Sequence, residues 1–165
     1  MKLPETPYIP VLHQSHTKLN DTKIDWWSEN SFFKYNKILM SAYYGLKLDI
    51  RKEYNIPDDV IIYGDSGGFQ NMTLQAFLNP LTVLRWQEKN CNIGFTFDLP
   101  ISFCKNIDEI RKFQKQTVEN AYTALNNKQV NTLQLYCVFH GEDYDGLKII
   151  EKMYNESGDI TKFNG

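Results

Sequence analysis

Short apolar runs alternate along this chain with segments of helical character, and this alternation is what most restricts its fold. Runs rich in β-branched and aromatic residues occupy positions 60–63, 93–97 and 132–139, and another apolar run covers 37–42. Each is short enough for a buried strand, and helix signals follow each of them. Repetition of strand and helix predicts the α/β class, with either a parallel sheet or a (β/α) barrel.

Capping residues mark where three of the helices should begin. Asn79 before Pro80 is a strong start, because Asn accepts from free N–H groups and proline suits the first helical position. Asn106 with Glu109 three residues later resembles a capping box, and Asp145 is predicted to cap the last helix. The apolar faces of these helices are predicted to include Leu81, Leu84, Trp86, Gln87, Ile110, Phe113, Thr117, Ala121, Ala124, Leu147, Ile150 and Met153.

The other segments carry weaker signals. Residues 1–36 are predicted to be an extended lead-in to one domain spanning 1–165, with a loop and room for a short helix at 21–34. His13 and His16 are interpreted as surface residues. Residues 49–54 are predicted to be helical up to the proline at position 57, and 72–78 show a mixed pattern.

Composition excludes several classes of protein. The 165 residues suit one domain with a core, and the net charge of -2 with a pI near 5.9 gives no general attraction to nucleic acid. Cys91, Cys104 and Cys137 are widely spaced, which argues against a disulfide framework or a cysteine zinc site and favours a reduced, cytoplasmic setting. We expect no membrane partner, since no apolar run approaches the roughly 18 residues that cross a bilayer.

Three ionisable residues follow three of the predicted strands. They are Asp65, Asp98 and His140. The carboxyl ends of parallel strands share one rim, where α/β enzymes build their active sites. The pattern therefore predicts a site at this rim. Basic residues such as Arg111 and Lys115 are predicted to lie on solvated faces.

The letters Gly-Asp-Ser-Gly-Gly at 64–68 also match the sequence around the nucleophile of trypsin-like serine proteases. That fold is an antiparallel double barrel, whereas this chain alternates strands and helices. Phe69 stands where the proteases have proline, and no suitable histidine and aspartate precede Ser66. The match is interpreted as a coincidence of a short string.

A longer resemblance begins with Asp-Ser-Gly-Gly-Phe-Gln at 65–70. This string resembles the signature of the tRNA-guanine transglycosylases, which exchange guanine for a 7-deazaguanine on a (β/α)8 TIM barrel. Residues 79–98 resemble the family's next helix and the strand ending in Phe-Asp. Residues 138–141 fall where the family has Val-Gln-Gly, and 163–165 resemble the start of a further strand. The resemblance implies that the chain holds the first five or so βα units of such a barrel.

The resemblance also implies roles for individual residues. Asp98 would accept hydrogen bonds from the ring N–H and exocyclic amine of a base flipped out of its nucleic acid. Phe69 would stack on the base, and Asp65 would act as an acid/base beside the glycosidic bond. The other substrate contacts implied are those of Ser66, Gly67, Gly68, His140 and Gly141.

The chain departs from the family at three places. His140 replaces the usual Gln and Pro100 alters the usual Glu-Cys pair, which leaves the base open. The family's nucleophilic aspartate and structural zinc site would lie beyond Gly165, so no cofactor is expected in these residues. The chain is accordingly interpreted as a fragment, a subunit completed by a partner or by self-association, or a degenerate relative.

The resemblance and these departures together leave three functions open. The first is base exchange on tRNA, and the second is the same exchange on DNA in the related 7-deazaguanine DNA-modification branch. The third is a non-catalytic half-barrel that holds a base or a partner. Whether the chain is an enzyme stays open at this point.

Overall fold

The computed structural model describes residues 11–12, 18–19, 22–23, 25–28, 31 and 35–165. His13, His16 and most of the lead-in lie outside the described residues. Within the lead-in, strands β1 (Lys18–Leu19) and β2 (Thr22–Lys23) pair antiparallel, where a loop or short helix was expected for part of the segment.

A parallel sheet of four strands carries the rest of the fold. Its strands, in spatial order, are β3 (Lys37–Ser41), β4 (Ile61–Asp65), β5 (Ile93–Phe95) and β6 (Gln134–Tyr136). Ser41 pairs with Asp65, and Gly64 pairs with Gly94. Spatial neighbours are also sequence neighbours, so the strand order does not reverse. The predicted α/β class with strand–helix repetition is confirmed, with strands β5 and β6 shorter than the apolar runs suggested.

Further residues are bonded to the sheet at both edges. Next to β3, Val11 forms a parallel bridge with Leu39. Next to β6, the Asn164 N–H donates to Leu135 O at 2.7 Å, and the Cys137 N–H donates to Gly165 O at 2.8 Å. These two bonds hold the last residues beside β6 without forming a regular ladder, and the described residues show no further strand at 163–165.

Helices connect the strands and pack side by side. They are α1 (Ala42–Gly45), α2 (Ile50–Tyr54), α3 (Gly68–Leu74), α4 (Pro80–Asn90), α5 (Ile107–Asn127) and α6 (Tyr144–Ser157). Helix α4 packs against α1 and α5, and α5 packs against α6. Among the described residues, none of the helices combines the length and apolar character needed to cross a membrane.

The helical layer covers one face of the sheet. Ile38, Ile62 and Leu135 point to that side and are fully buried. The alternate residues, among them Tyr63 and Phe95, are only partly buried. The core is therefore concentrated between sheet and helices.

The predicted helix starts are confirmed for α4 and α5 and are wrong for α6. The Asn79 and Asn106 side chains each accept a backbone N–H of the first helical turn, at 3.0 and 2.9 Å. The Glu109 carboxylate accepts from the backbone N–H before Asn106, one residue away from a standard capping box. Helix α6 is capped by Asp143, two residues before the predicted Asp145.

The predicted apolar faces are mostly confirmed. Leu84, Trp86, Gln87, Thr117, Ala121, Ala124 and Ile150 are buried. Leu81 and Leu147 are 41% and 40% exposed, so their assignment to the buried faces is wrong. The segment 72–78, which showed a mixed pattern, begins with the end of helix α3. This helix runs from Gly68 to Leu74 and was not predicted.

Candidate functional site

Asp65 is the last residue of β4, and the glycine turn after it determines where its carboxylate lies. Gly67 has φ +75, a left-handed conformation that side chains disfavour, and it turns the chain from the strand into α3. The Gly67 N–H donates to Asp65 Oδ2 at 3.1 Å. The predicted position of Asp65 at the carboxyl end of a strand is therefore confirmed.

The environment of Asp65 favours its protonated form. Burial raises the pKa of the Asp65 carboxyl, and the negative charge of Asp98 raises it further, against the lowering effect of the Gly67 N–H. A raised pKa makes a carboxyl a better proton acceptor when it is ionised, which suits an acid/base role.

Asp98 lies three residues beyond β5, with each carboxylate oxygen already bound. The Ser66 hydroxyl donates to Oδ1. His140 Nε2 lies 2.7 Å from Oδ2 and donates to it when that nitrogen carries the proton. A Cβ at Gly68 would clash with the Asp98 backbone oxygen, so only glycine allows this close approach of α3. The structure thus brings Asp65, Asp98 and His140 together at one rim, as predicted.

Ser66 belongs to this cluster through the carboxylate. Its side chain is fully buried, donates to Asp98 and accepts the Gly68 N–H at 3.1 Å. In a protease triad the serine hydroxyl bonds to the imidazole, whereas here Asp98 stands between Ser66 and His140. The geometry agrees with rejecting the protease match.

Two exposed phenylalanines lie beside the cluster. Phe69, in the first turn of α3, is 56% exposed, and Phe103, in the 3-10 helix Ile101–Phe103, is 37% exposed. Their ring centroids are 5.4 Å apart with planes tilted by 46°. An exposed aromatic surface next to the partly buried Asp98 carboxylate gives an apolar wall and a hydrogen-bond acceptor together, which are the two elements that bind a flat heterocycle.

The glycines predicted to contact substrate are used within the fold. The N–H groups of Gly67 and Gly68 bond to Asp65 and Ser66. A Cβ at Gly141 would lie 2.5 Å from the Leu147 nitrogen, so this glycine lets the loop after β6 pack against α6. Their first role is to shape the site.

Three polar residues behind the site, Gln87, Gln114 and Arg111, were not predicted to support it. Gln87 of α4 is buried, and its Nε2 donates to Gly64 O at 2.9 Å and to Phe95 O at 2.8 Å, which joins β4 to β5 near their carboxyl ends. Gln114 of α5 is fully buried, and its Nε2 donates to His140 O at 2.6 Å.

Arg111 lies only partly on the solvated face predicted for it, because its side chain is 27% exposed and also supports Gln114. Its Nη1 donates to Gln114 Oε1 at 2.8 Å, and its two terminal nitrogens lie 3.1 and 2.5 Å from the Glu142 carboxylate. The hydrogen bond from Arg111 lowers the pKa of Glu142. Because the partners are 26 and 31 residues apart in sequence, only the fold brings them together.

The described part of the chain holds no group of three or more His, Cys, Asp or Glu side chains placed to bind a metal ion. The chain has no match among family models, curated proteins or solved structures.

Proposed function

We propose that this chain binds a guanine-like base at the Asp98 rim and takes part in base exchange of the tRNA-guanine transglycosylase type. Asp98 would recognise the base, Phe69 would stack on it, and Asp65 would exchange a proton with it. The support is the resemblance of residues 65–70 to the family signature together with the cluster at the rim.

One observation carries the proposal, namely that each oxygen of the Asp98 carboxylate already has one hydrogen-bond partner. Ser66 and His140 hold one oxygen each, which fixes the carboxylate plane. An ionised carboxylate offers about four lone-pair sites, so each oxygen retains one for a further donor. A base presenting a ring N–H and an amine side by side uses both remaining sites.

The barrel is part of the same proposal. Sequential parallel strands with the helices in one layer are what a (β/α)8 barrel requires. In a barrel the face away from the helices is the interior, and here that face carries the partly exposed aromatics Tyr63, Phe95 and Tyr136. Tyr63 and Phe95 stack at 6.5 Å between centroids. On this view further strands cover these rings, and they come from the rest of a longer chain, from a partner or from a second copy. A cytoplasmic setting is proposed with it, supported by three free cysteines.

Calorimetry with 7-deazaguanine tests the base site. We expect Asp98→Asn to weaken the affinity about 100-fold, because the amide replaces one acceptor oxygen with a donor and makes the remaining hydrogen bond a neutral one. Hypoxanthine, which lacks the exocyclic amine, should bind the wild type more weakly and respond less to the substitution. Asp108→Asn, a change of the same kind at an exposed position of α5, is the control. Equal affinities of the wild type and a folded Asp98→Asn variant would refute the assignment.

Exchange assays separate the three functions. Incorporation of labelled guanine into tRNA supports the proposal, whereas incorporation into duplex DNA alone supports the DNA-modification alternative. Base binding without exchange into either favours the non-catalytic half-barrel.

A further inference from the structure

The loop that carries His140 is fastened to α5 by a side-chain network in which Gln114 is fully buried, while Arg111 and Glu142 are partly exposed. The network consists of Gln114 and Arg111 on α5 and Glu142 on the loop. Its last member on the helix, Gln114, contacts the backbone of the residue whose side chain holds Asp98. Arg111, which lies outside the rim, is thus connected to the Asp98 carboxylate through three hydrogen bonds. They join Arg111 to Gln114, Gln114 to the His140 backbone, and the His140 ring to Asp98.

The first step runs from Gln114 to His140. Gln114 has no exposed surface, so it has no water with which to exchange its hydrogen bonds. Its amide donates to His140 O at 2.6 Å and to Gly146 O at 3.2 Å. These bonds join α5 to the middle of the loop between β6 and α6 and to the first turn of α6.

The second step fixes the orientation of Gln114 itself. An amide side chain can rotate by half a turn and exchange its donor and acceptor ends. Arg111 prevents this, because its guanidinium can only donate and bonds to Gln114 Oε1 at 2.8 Å. Arg111 is held in turn by the two oxygens of Glu142, a planar paired arrangement that restricts the guanidinium.

The third step runs from the loop to the site. His140 Nε2 lies 2.7 Å from Asp98 Oδ2, and the His140 side chain is 25% exposed. A shift of the His140 backbone by a few tenths of an ångström therefore changes a contact to the carboxylate directly. Since the Ser66 hydroxyl holds the other oxygen, loss of the His140 bond leaves the carboxylate free to turn.

We propose that Gln114 is a positioning residue, which sets the orientation of the Asp98 carboxylate through the His140 backbone and imidazole. The consequence for base binding rests on the proposed function. A purely structural alternative is that Gln114 only joins α5 to α6 through Gly146. If Gln114 is a positioning residue, replacing it changes the contact of the His140 imidazole with Asp98. If it only joins the two helices, the imidazole keeps that contact.

Long-range ¹H–¹⁵N correlation spectra of the histidine rings distinguish them. The chain has three histidines, and a His140→Gln variant identifies the signals of His140. Gln114→Met retains much of the side-chain length without a donor. We expect it to shift the His140 ring signals towards their positions in Asp98→Asn, where the acceptor is altered. Gln116→Met, the same change at an exposed position of α5, should leave them in place.

Unchanged His140 signals in a folded Gln114→Met variant would overturn the proposal. If that variant does not fold, Arg111→Met replaces it, since the Arg111 side chain is 27% exposed. That variant should give a smaller shift in the same direction, and no shift would also overturn the proposal.

Calorimetry with 7-deazaguanine then adds the functional readout. We expect about tenfold weaker affinity for Gln114→Met and no change for Gln116→Met. Equal affinities of a folded Gln114→Met variant and a base-binding wild type would overturn the functional part. If the wild type binds no base, the proposed function fails, while the spectra still decide the role of Gln114.

Discussion

Replacing Gln87 with methionine is expected to destabilise the fold, because it removes the donor to two strand carbonyls. The Gln87 side chain is 1% exposed and bonds through Nε2 to Gly64 O and Phe95 O, at 2.9 and 2.8 Å. These carbonyls lie at the carboxyl ends of β4 and β5, directly before the segments that carry Asp65 and Asp98.

The magnitude follows from the two acceptors. A buried carbonyl deprived of its donor costs about 1–3 kcal/mol. Methionine has a volume close to that of glutamine, so the cavity contribution is small. The two carbonyls together give a loss of about 2–4 kcal/mol in the free energy of unfolding.

Urea denaturation followed by circular dichroism measures this loss. The control is Gln116→Met, an exposed site where the change should stay within about 0.5 kcal/mol. A loss below about 1 kcal/mol for Gln87→Met, with an unchanged dependence on urea, would show that the two carbonyls do not depend on Gln87 for their donors.

Two further predictions concern the rim itself. Burial raises the pKa of Asp65 in the folded state, so the folded protein favours the protonated carboxyl. The protonated carboxyl therefore contributes to stability below the unfolded pKa of about 3.9, and this contribution is lost as pH rises through the folded pKa. Asp65→Asn should therefore stabilise the protein at pH 7, and the gain should vanish towards pH 3 in urea titrations; a gain independent of pH would contradict this. Gly68→Ala places a Cβ against the Asp98 backbone oxygen and should cost about 1–3 kcal/mol in thermal melts, while Thr73→Ala on the exposed side of α3 changes little. A harmless Gly68→Ala would mean that α3 can move away from Asp98.

The elements that the sequence predicted well are those with local causes. Asn79 and Asn106 cap helices through bonds to residues three positions away, so the pattern is visible in the sequence. Asp65 could be placed because a β-branched run ends at it. Asp143 and Asp145 are equivalent as local signals, and the tertiary position of the loop after β6 decides between them.

The residues that were missed act over long sequence separations. Gln87, Gln114 and Arg111 bond to groups 23, 26 and 31 residues away. Two of these three acceptors are backbone carbonyls. Every residue has a backbone carbonyl, so the sequence does not indicate which one a side chain will bind. Once a fold is known, a buried glutamine facing strand ends can be recognised as a support for the rim.

The sequential order of the strands also has a consequence for how the chain assembles. Each of β4, β5 and β6 pairs with the strand immediately before it in the sequence, and α5 and α6 each pack on the preceding long helix. The paired residues are still 24 to 41 positions apart, as in Ser41–Asp65 and Gly94–Leu135, so these pairings form more slowly than a local hairpin would. The residues that act on the Asp65 carboxyl, among them Ser41 and Asp98, are all synthesised before His140.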